Sequence, residues 1–362
     1  MPPVDAASRI PVTVLTGFLG SGKTTVLNHV LKHPGMAATA VIINEFGEIP
    51  LDHLLVEQAT EDVVLLNSGC LCCTVRGDIA DTLTNLFVGR AKGKYDFRRV
   101  VIETTGLADP APVLHALMSD PIVAERFMLD GVVTTVDAVN GAATLDNHPE
   151  AVKQVAVADR LLLTKSDLAS EADSAALRAR LTALNPAGAP LPVIQGAVDP
   201  AALFDLGLFD PETKSVEVQR WLNDEALAPD DHDHDHDDHG GHDHAALDVN
   251  RHDSRIRAFC VVRDRPMSWQ ALSGWLDALA TMRGDDLLRV KAIIAIADRP
   301  DQPVVLHGVQ HLFHPPVLLP AWPSDDHRTR IVFITRDMPQ EMIERSLAAF
   351  EEADEPAAGH EA

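Results

Sequence analysis

The stretch "PVTVLTGFLGSGKTT", Pro11 to Thr25, decides how the start of this chain folds. Its first half is a short apolar run typical of a buried strand, and its second half matches the pattern G-x-x-x-x-G-K-[ST] from Gly17 onward. The match stands between a strand and a helix-like segment, which is the context that the pattern requires. The stretch therefore predicts a phosphate-binding loop at the start of an α/β domain.

The residues of this loop have separate expected tasks. Glycines let the backbone approach phosphate groups closely, and the N–H groups at the start of the following helix attract negative charge. Lys23 is expected to act as a catalytic cation on the β and γ phosphates, and the Thr24 hydroxyl to ligate Mg²⁺. The predicted nucleotide-binding residues here are Gly17, Gly20, Ser21, Gly22, Lys23, Thr24 and Thr25.

The rest of the first half alternates apolar runs with amphipathic segments. The runs are rich in Val, Ile and Leu without clean alternation, and they read "TAVIINE", "DVVLLNSG", "RRVVIETTG", "LDGVVTTVDA", "RLLLTKSD" and "LPVIQG". Such runs are typical of parallel strands buried on both faces. Helix-like pieces, for example at 24–32 and 79–89, lie between them. We therefore predict a doubly wound, mostly parallel α/β sheet of the P-loop NTPase class.

Composition divides the 362 residues into four predicted parts. Residues 1–225 are expected to form the nucleotide-binding domain. The stretch "APDDHDHDHDDHGGHDHAALDVNRHD" cannot supply a hydrophobic core, so residues 226–254 are predicted to be a disordered linker. Residues 255–350, with roughly four strands and two helices, predict a smaller α+β domain. Residues 351–362 are predicted to be a flexible tail.

Two further strand ends carry residues suited to a nucleotide. In "TKSD", Thr164 to Asp167, the Asp167 carboxylate can accept both guanine N1–H and N2–H₂, a pair that adenine lacks, while the Lys165 stem covers the base. This element favours GTP over ATP. Glu103, after the run "RRVVI", is expected to hold Mg²⁺ through water or to orient the attacking water. A simple strand-end cap is the alternative for Glu103.

A cluster of cysteines indicates a metal site. Three of the four cysteines lie in "NSGCLCCTVRGD", at Cys70, Cys72 and Cys73. Thiolates are soft ligands that suit Zn²⁺, Co²⁺, Ni²⁺ or Cu(I) and do not suit Mg²⁺. Three ligands leave a fourth position open, which is typical of exchange or catalysis, since structural zinc sites are closed. A redox-active thiol and a purely structural turn are the alternatives.

Acidic residues and histidines add candidate metal ligands. Glu45 and Glu48 follow the strand "TAVIIN" and are expected to complete the coordination of the thiolate-bound metal or to face Mg²⁺, the alternative being a solvated acidic loop. Neutral imidazoles in the linker are expected to collect several divalent metals weakly. These histidines are His232, His234, His236, His239, His242 and His244.

The overall composition narrows the classes of partner. A net charge of -24 argues against binding to nucleic acid or to anionic membranes. No run approaches the ~18 apolar residues of a membrane span, and the first residues contain no signal-like apolar run. We therefore expect a cytoplasmic protein in which clustered thiols stay reduced.

Taken together and in this order, the motifs resemble the CobW-type family of metallochaperone GTPases. They are "GFLGSGKTT", "NEFGE", "GCLCC", "ETTGLADP", "TKSD", the His-rich linker, "LLRVKAIIAI" and "VLHGVQHLF". The resemblance implies a GTP- and Mg²⁺-dependent protein that holds Zn²⁺, or Co²⁺, at the cysteine motif and delivers it to a client metalloprotein. It is also compatible with a homodimer that depends on nucleotide or metal.

Other functions remain open at this point. Co²⁺ in place of Zn²⁺ would make the chain a cobalt chaperone for cobalamin synthesis, since both metals accept the same thiolates. A metal buffer or sensor would use the histidines for storage, and a redox-regulated nucleotidase would use the thiols without metal. We expect slow intrinsic GTP hydrolysis in any of them, because no arginine finger or catalytic glutamine can be assigned.

Overall fold

The structure is a computed structural model that describes residues 9–44, 63–67, 75–186, 188, 190–204, 255–314 and 316–354, with the backbone alone at 44, 63–67 and 75–78. Several predicted ligands lie outside the described residues, and so does the predicted linker. These ligands are Glu45, Glu48, Cys70, Cys72, Cys73, His232, His234, His236, His239, His242 and His244.

Seven strands of the described residues build the sheet of the first domain. They are β1 (Ile10–Gly17), β2 (Thr39–Asn44), β3 (Val63–Asn67), β4 (Arg99–Thr104), β5 (Phe127–Asp137), β6 (Arg160–Thr164) and β7 (Pro190–Val193). Their order across the sheet is β3-β2-β4-β1-β5-β6-β7, and every ladder between neighbours is parallel. The carboxyl ends of all these strands therefore meet at one edge of the sheet, where ligands bind in such folds.

Helices cover both faces of this sheet. They are α1 (Lys23–Val30), α2 (Val75–Ala91), α3 (Ala111–Ser119), α4 (Pro121–Arg126), α5 (Gly141–Asn147), α6 (Pro149–Ala156) and α7 (Glu171–Leu184). On one face α1 packs into a core with Val133 and Leu162, and on the other Leu83 and Leu114 pack against Val14. The predicted doubly wound α/β fold is confirmed.

The second domain packs two helices on an antiparallel sheet. Its elements are β8 (Ile256–Arg263), α8 (Trp269–Arg283), β9 (Leu287–Ile296), β10 (Arg299–Val309), β11 (Leu312–Phe313), β12 (Val317–Leu318), β13 (Thr329–Arg336) and α9 (Gln340–Asp354). The main order is β11-β10-β9-β13-β8, with β12 paired to β10. Trp275 and Phe333 lie at the centre of its core. No helix in the described ranges of the chain is long and apolar enough to cross a bilayer.

Some predicted boundaries differ from the structure. The run "PVVLHGVQHLF" reads as one strand, but the chain reverses at Gln310, whose φ is 54°, so that it forms both β10 and β11. With the short β12 as a further strand, the described part of the second domain has six strands, not roughly four. Helix α2 begins at Val75, before the predicted 79, and α9 continues to Asp354, into the predicted tail. The fourth cysteine, Cys260, lies on β8 and is half-buried.

The two domains meet in a buried group of charges, which we call the interdomain ion cluster: Asp159, Arg289 and Lys291. Asp159 precedes β6, and its Oδ1 lies 2.6 Å from Arg289 Nη2 and 2.7 Å from Lys291 Nζ, both on β9. All three side chains are at most 7% exposed. Burial would raise the pKa of Asp159, but the two cations hold it far below its usual range. Breaking a buried pair of this kind is strongly destabilising.

Candidate functional site

The phosphate loop connects β1 to α1 at the carboxyl edge of the sheet. Gly17 has a φ of 141°, and a Cβ there would lie 2.5 Å from the carbonyl oxygen of Thr135 on the neighbouring strand β5. The position therefore requires glycine. The Ser21 hydroxyl lies 2.6 Å from the Thr135 hydroxyl, which anchors the middle of the loop to the same strand.

The predicted catalytic side chains lie together at the start of α1. Lys23 is buried and its Nζ donates to the carbonyl oxygens of Gly17, at 2.8 Å, and Phe18, at 3.2 Å, so the ammonium group sits within the loop. The Thr24 hydroxyl donates a 2.9 Å hydrogen bond to Oε1 of Glu103, which is 3% exposed at the end of β4. A hydroxyl and a carboxylate are oxygen ligands of the kind that Mg²⁺ prefers, so this pair fits the predicted cation.

The predicted guanine element follows β6. Thr164 Oγ1 donates to the carbonyl oxygen of Ser21 at 2.6 Å, which fixes the element to the phosphate loop. Lys165 takes a φ of 54°, and its Nζ donates to the carbonyl oxygen of Gly20 at 2.8 Å. Asp167 follows in an exposed turn, where its carboxylate is open to a base.

Asp137 belongs to the same site, although the motifs do not single it out. It ends β5, and its Oδ2 lies 2.7 Å from Lys165 Nζ. Burial alone would raise the pKa of Asp137, but hydrogen bonds from Lys165, Asn140 and two backbone N–H groups lower it, so the carboxylate stays charged. The available signal was its place at the end of a buried strand, the same position that identified Glu103.

The loop after β7 lies beside the start of α1 and was also not predicted as part of the site. The backbone at Gly196 lies so close to Thr25 that a Cβ there would be 2.5 Å from the Thr25 carbonyl oxygen. A bridge between Ile194 and Ala197 closes the turn. Ile194 directly follows β7 and is exposed. Since β7 pairs with β6, Ile194 lies next to the strand that leads into the guanine element. Sequence reasoning had no motif with which to find this contact.

The two segments that hold the predicted metal ligands, which we call the ligand segments (45–48 and 70–73), follow neighbouring strands. β2 ends at Asn44 and β3 at Asn67, and these strands pair in parallel. β2 also pairs with β4, with Ile43 opposite Glu103. Neighbouring strands lie about 5 Å apart, so the carboxyl ends of β2 and β3 lie about 5 and 10 Å from the strand that ends in Glu103. Among the residues that the structure describes, no three His, Cys, Asp or Glu side chains form a metal-binding group.

Two family models match this chain, one for each domain. The model described as "CobW/HypB/UreG, nucleotide-binding domain" matches residues 11–191. The model described as "Cobalamin synthesis protein cobW C-terminal domain" matches residues 256–351. The division into a nucleotide-binding part and a second domain is therefore the same in the matches and in the fold.

Individual relatives match over one half to nearly all of this chain. The zinc chaperone YjiA of Escherichia coli is 33% identical over 339 residues, which cover 94% of this chain and 98% of the relative. The zinc chaperone CobW of Pseudomonas aeruginosa is 33% identical over 235 residues, or 54% of this chain and 61% of that relative. The Zn(II)-bound crystal structure of the YjiA GTPase superposes with a TM-score of 0.69 at 28% identity, covering 94% of this chain and 99% of that one. This chain belongs to the CobW family, with a CobW/HypB/UreG nucleotide-binding domain followed by a CobW C-terminal domain.

Proposed function

We propose that this chain is a GTP-hydrolysing zinc chaperone that binds Zn²⁺ at Cys70, Cys72 and Cys73 and transfers it to a client metalloprotein. The observation that carries the proposal is the strand order, because β2 and β3 lead into the ligand segments and β2 lies beside the strand of Glu103. The names of its relatives support zinc as the metal, since YjiA is a zinc chaperone and a GTPase. A cytoplasmic location fits thiols that must stay reduced.

The residues divide the work of GTP hydrolysis among them. Lys165 and Asp167 hold the guanine base, and the backbone of the phosphate loop together with Lys23 holds the phosphates. Thr24 and Glu103 would hold Mg²⁺, which neutralises charge on the β and γ phosphates when bound. Water attacks the γ-phosphorus, the bond between this phosphorus and the β–γ bridging oxygen breaks, and GDP and phosphate leave. Preorganised charges around the phosphates stabilise the transition state.

Nucleotide state controls zinc affinity in this proposal. The ligand segments follow β2, which pairs with β4, and β3, which lies one strand further out. A change around Glu103 therefore has to cross only one or two strand spacings, about 5 to 10 Å, to reach the ends of these strands. Either Glu45 or Glu48 completes the coordination begun by the three thiolates. GTP hydrolysis then weakens the site and releases Zn²⁺ to the client, in the manner of segments that the γ-phosphate orders in other GTPases.

Zinc affinity measured with and without a non-hydrolysable GTP analogue tests the proposal. Competition with a chromophoric chelator should show at least about tenfold tighter binding when the analogue and Mg²⁺ are present, a coupling of ordinary size. The Lys23→Ala variant keeps the thiolates and should lose this dependence on nucleotide. Cys72→Ser combined with Cys73→Ser should weaken zinc binding in both states. Equal affinity with and without the analogue in the wild-type chain would contradict the coupling.

The measurement must follow affinity at this motif and not total metal content. A Zn(II)-bound crystal structure also exists for a YjiA variant in which one glutamate and two cysteines are replaced by alanine. That relative therefore still binds zinc without these three side chains. In the present chain, a Cys72→Ser and Cys73→Ser variant measured in parallel subtracts zinc bound outside the motif.

The histidine run favours a second function, that of a metal buffer. Its six imidazoles, interleaved with aspartate, suit weak collection of several divalent metals. Deleting residues 230–244 separates the two functions. Storage capacity should collapse after deletion, whereas nucleotide-dependent affinity at the cysteine motif should survive. Metal analysis of the chain purified from its native host decides between Zn²⁺ and Co²⁺.

A further inference from the structure

Helix α6 holds the segment that follows Glu103 in place. Gln154, which is fully buried, donates from Nε2 to the carbonyl oxygen of Ala108 at 2.9 Å and to that of Gly106 at 3.4 Å. The preceding residue, Lys153, places Nζ 2.9 Å from Oδ2 of Asp109. Two consecutive residues of α6 therefore fix both ends of the four-residue segment from 106 to 109.

That segment lies directly against the phosphate loop. A Cβ at Gly106 would be 2.6 Å from the backbone nitrogen of Leu19, which belongs to the loop. Just before the segment, the Thr104 hydroxyl donates to the Thr16 hydroxyl at 2.8 Å. Any movement of the 106–109 segment therefore changes the surroundings of the phosphates and of Glu103, three residues earlier in the chain.

The other end of α6 is attached to the second domain. Ala156, the last residue of α6, packs against Leu288 and Ile334 of that domain. Asp159 follows three residues later and forms the interdomain ion cluster. Its Oδ2 also accepts a 2.9 Å hydrogen bond from the backbone N–H of Val132, so the carboxylate is fixed on both sides of the interface.

A short, rigid element thus spans the distance between the two domains' functional parts. The helix rises about 1.5 Å per residue. Lys153, which contacts the 106–109 segment, and Ala156, which contacts β9, therefore lie within about one turn of each other. Helices transmit displacement as units, since their backbone hydrogen bonds resist local change. A shift of the second domain at Asp159 therefore moves Lys153 and Gln154.

We propose that α6 is the element through which the second domain controls GTP hydrolysis, with Lys153 and Gln154 as positioning residues for the 106–109 segment and Asp159 as the anchor. This inference rests on the proposed GTPase activity. It assigns the C-terminal domain a direct effect on the nucleotide site. A client or metal that shifts this domain would change the hydrolysis rate by way of the anchor.

A double-mutant cycle on the full-length chain tests the inference. Lys153→Met removes the ion pair with Asp109 but keeps the apolar stem, and Asp159→Asn removes the charge of the anchor. Each single variant should lower kcat for GTP about tenfold while KM changes less than about twofold, because the phosphate and guanine contacts remain. The double variant should be no slower than the slower single variant, since both changes break the same connection.

Controls separate positioning from a general loss of structure. Lys153→Arg keeps the charge opposite Asp109 and should restore most of kcat. If Asp159→Asn lowers the melting temperature too far, Lys291→Met replaces it, because that variant removes one of the two cations of the anchor and leaves the Asp159–Arg289 pair to hold the fold. It should lower kcat in the same direction by a smaller factor, and an unchanged kcat would overturn the inference.

The outcomes are distinct. Two independent tenfold effects would make the double variant about a hundredfold slower than wild type, and that result would overturn the inference. A folded Asp159→Asn chain with the kcat of wild type would overturn it as well. Either result leaves the GTPase proposal standing. A wild-type chain that does not hydrolyse GTP removes both.

Discussion

Lys165 and Asp137 form a 2.7 Å ion pair at the carboxyl ends of β6 and β5, and the same ammonium group donates to the carbonyl oxygen of Gly20. The pair connects the predicted guanine element to the phosphate loop. Asp137 is itself fixed by hydrogen bonds from the backbone N–H groups of Val139 and Asn140. The position of the lysine stem therefore depends on a carboxylate 28 residues away in the chain.

Asp137→Ala should weaken nucleotide binding. Losing one charge-assisted hydrogen bond costs about 1.5 kcal/mol, which is about tenfold in affinity, and the loss should be equal for GTP and GDP because the γ-phosphate is not involved. Titration with a fluorescent GDP analogue measures it. Asp146→Ala is the control, since Asp146 on the nearby helix α5 pairs with Arg180 on α7, and its loss should leave affinity unchanged. Wild-type affinity in Asp137→Ala would show that Lys165 is held without it.

Glu103→Gln should slow hydrolysis much more than it weakens binding. The amide oxygen can still accept the Thr24 hydrogen bond, but the charge that would hold Mg²⁺ is gone. We expect kcat to fall about a hundredfold and the Mg²⁺ concentration for half-maximal activity to rise. Hydrolysis assays over a range of Mg²⁺ concentrations, with Glu171→Gln on the surface of α7 as control, measure both effects. An unchanged Mg²⁺ dependence would reduce Glu103 to a strand-end cap.

Gly106→Ala and Gly274→Ala should change stability in opposite directions. The new Cβ at Gly106 would meet the Leu19 backbone at 2.6 Å, whereas at Gly274, within α8, the nearest atom is a Phe350 ring carbon at 3.4 Å. Overpacking at Gly106 should lower the free energy of unfolding by about 2 kcal/mol and reduce kcat. Alanine within the helix should raise it by up to about 1 kcal/mol. Denaturant unfolding measures the free energy of unfolding of both variants. An unchanged value for Gly106→Ala would mean that the backbone at Leu19 moves away from the new Cβ at little cost.

Two histidines beside the interdomain ion cluster make stability depend on pH. Burial is the main cause that lowers the pKa of His314 to about 4, and the charge of Arg289 lowers it further. Burial and the charge of Lys291 hold the pKa of His307 well below its usual range. Both imidazoles are therefore neutral in the folded chain at neutral pH.

The sign of the effect follows from proton binding. Between pH 6.5 and about 4 the unfolded chain protonates His314 and the folded chain does not, so the free energy of unfolding falls as the pH falls through this range. The free energy of unfolding should be lower by about 2 kcal/mol at pH 5 than at pH 8 because of His314. Denaturant unfolding of wild type and His314→Gln at both values measures it. Equal losses in the two proteins would contradict the effect.

Much of the fold can be predicted from short stretches of sequence. The phosphate loop is a run of consecutive residues between a strand and a helix, and the unbroken apolar runs around Val101, Val133 and Leu162 predict buried parallel strands from local pattern alone. Lys23, Thr24, Glu103 and the "TKSD" element follow such runs, and they lie at one edge of the sheet. Parallel strands bring their carboxyl ends together whatever the loops between them.

The sequence by itself determined the class of fold, the nucleotide motifs and the candidate metal ligands, because each depends on residues close together in the chain. Only the tertiary structure decided which distant residues support them. Charges such as Arg289 and Lys291 in a strand indicate a solvent-facing side by pattern, yet they are buried because Asp159, 130 residues from Arg289, compensates them. Such pairings arise from the packing of whole elements, which local periodicity does not encode.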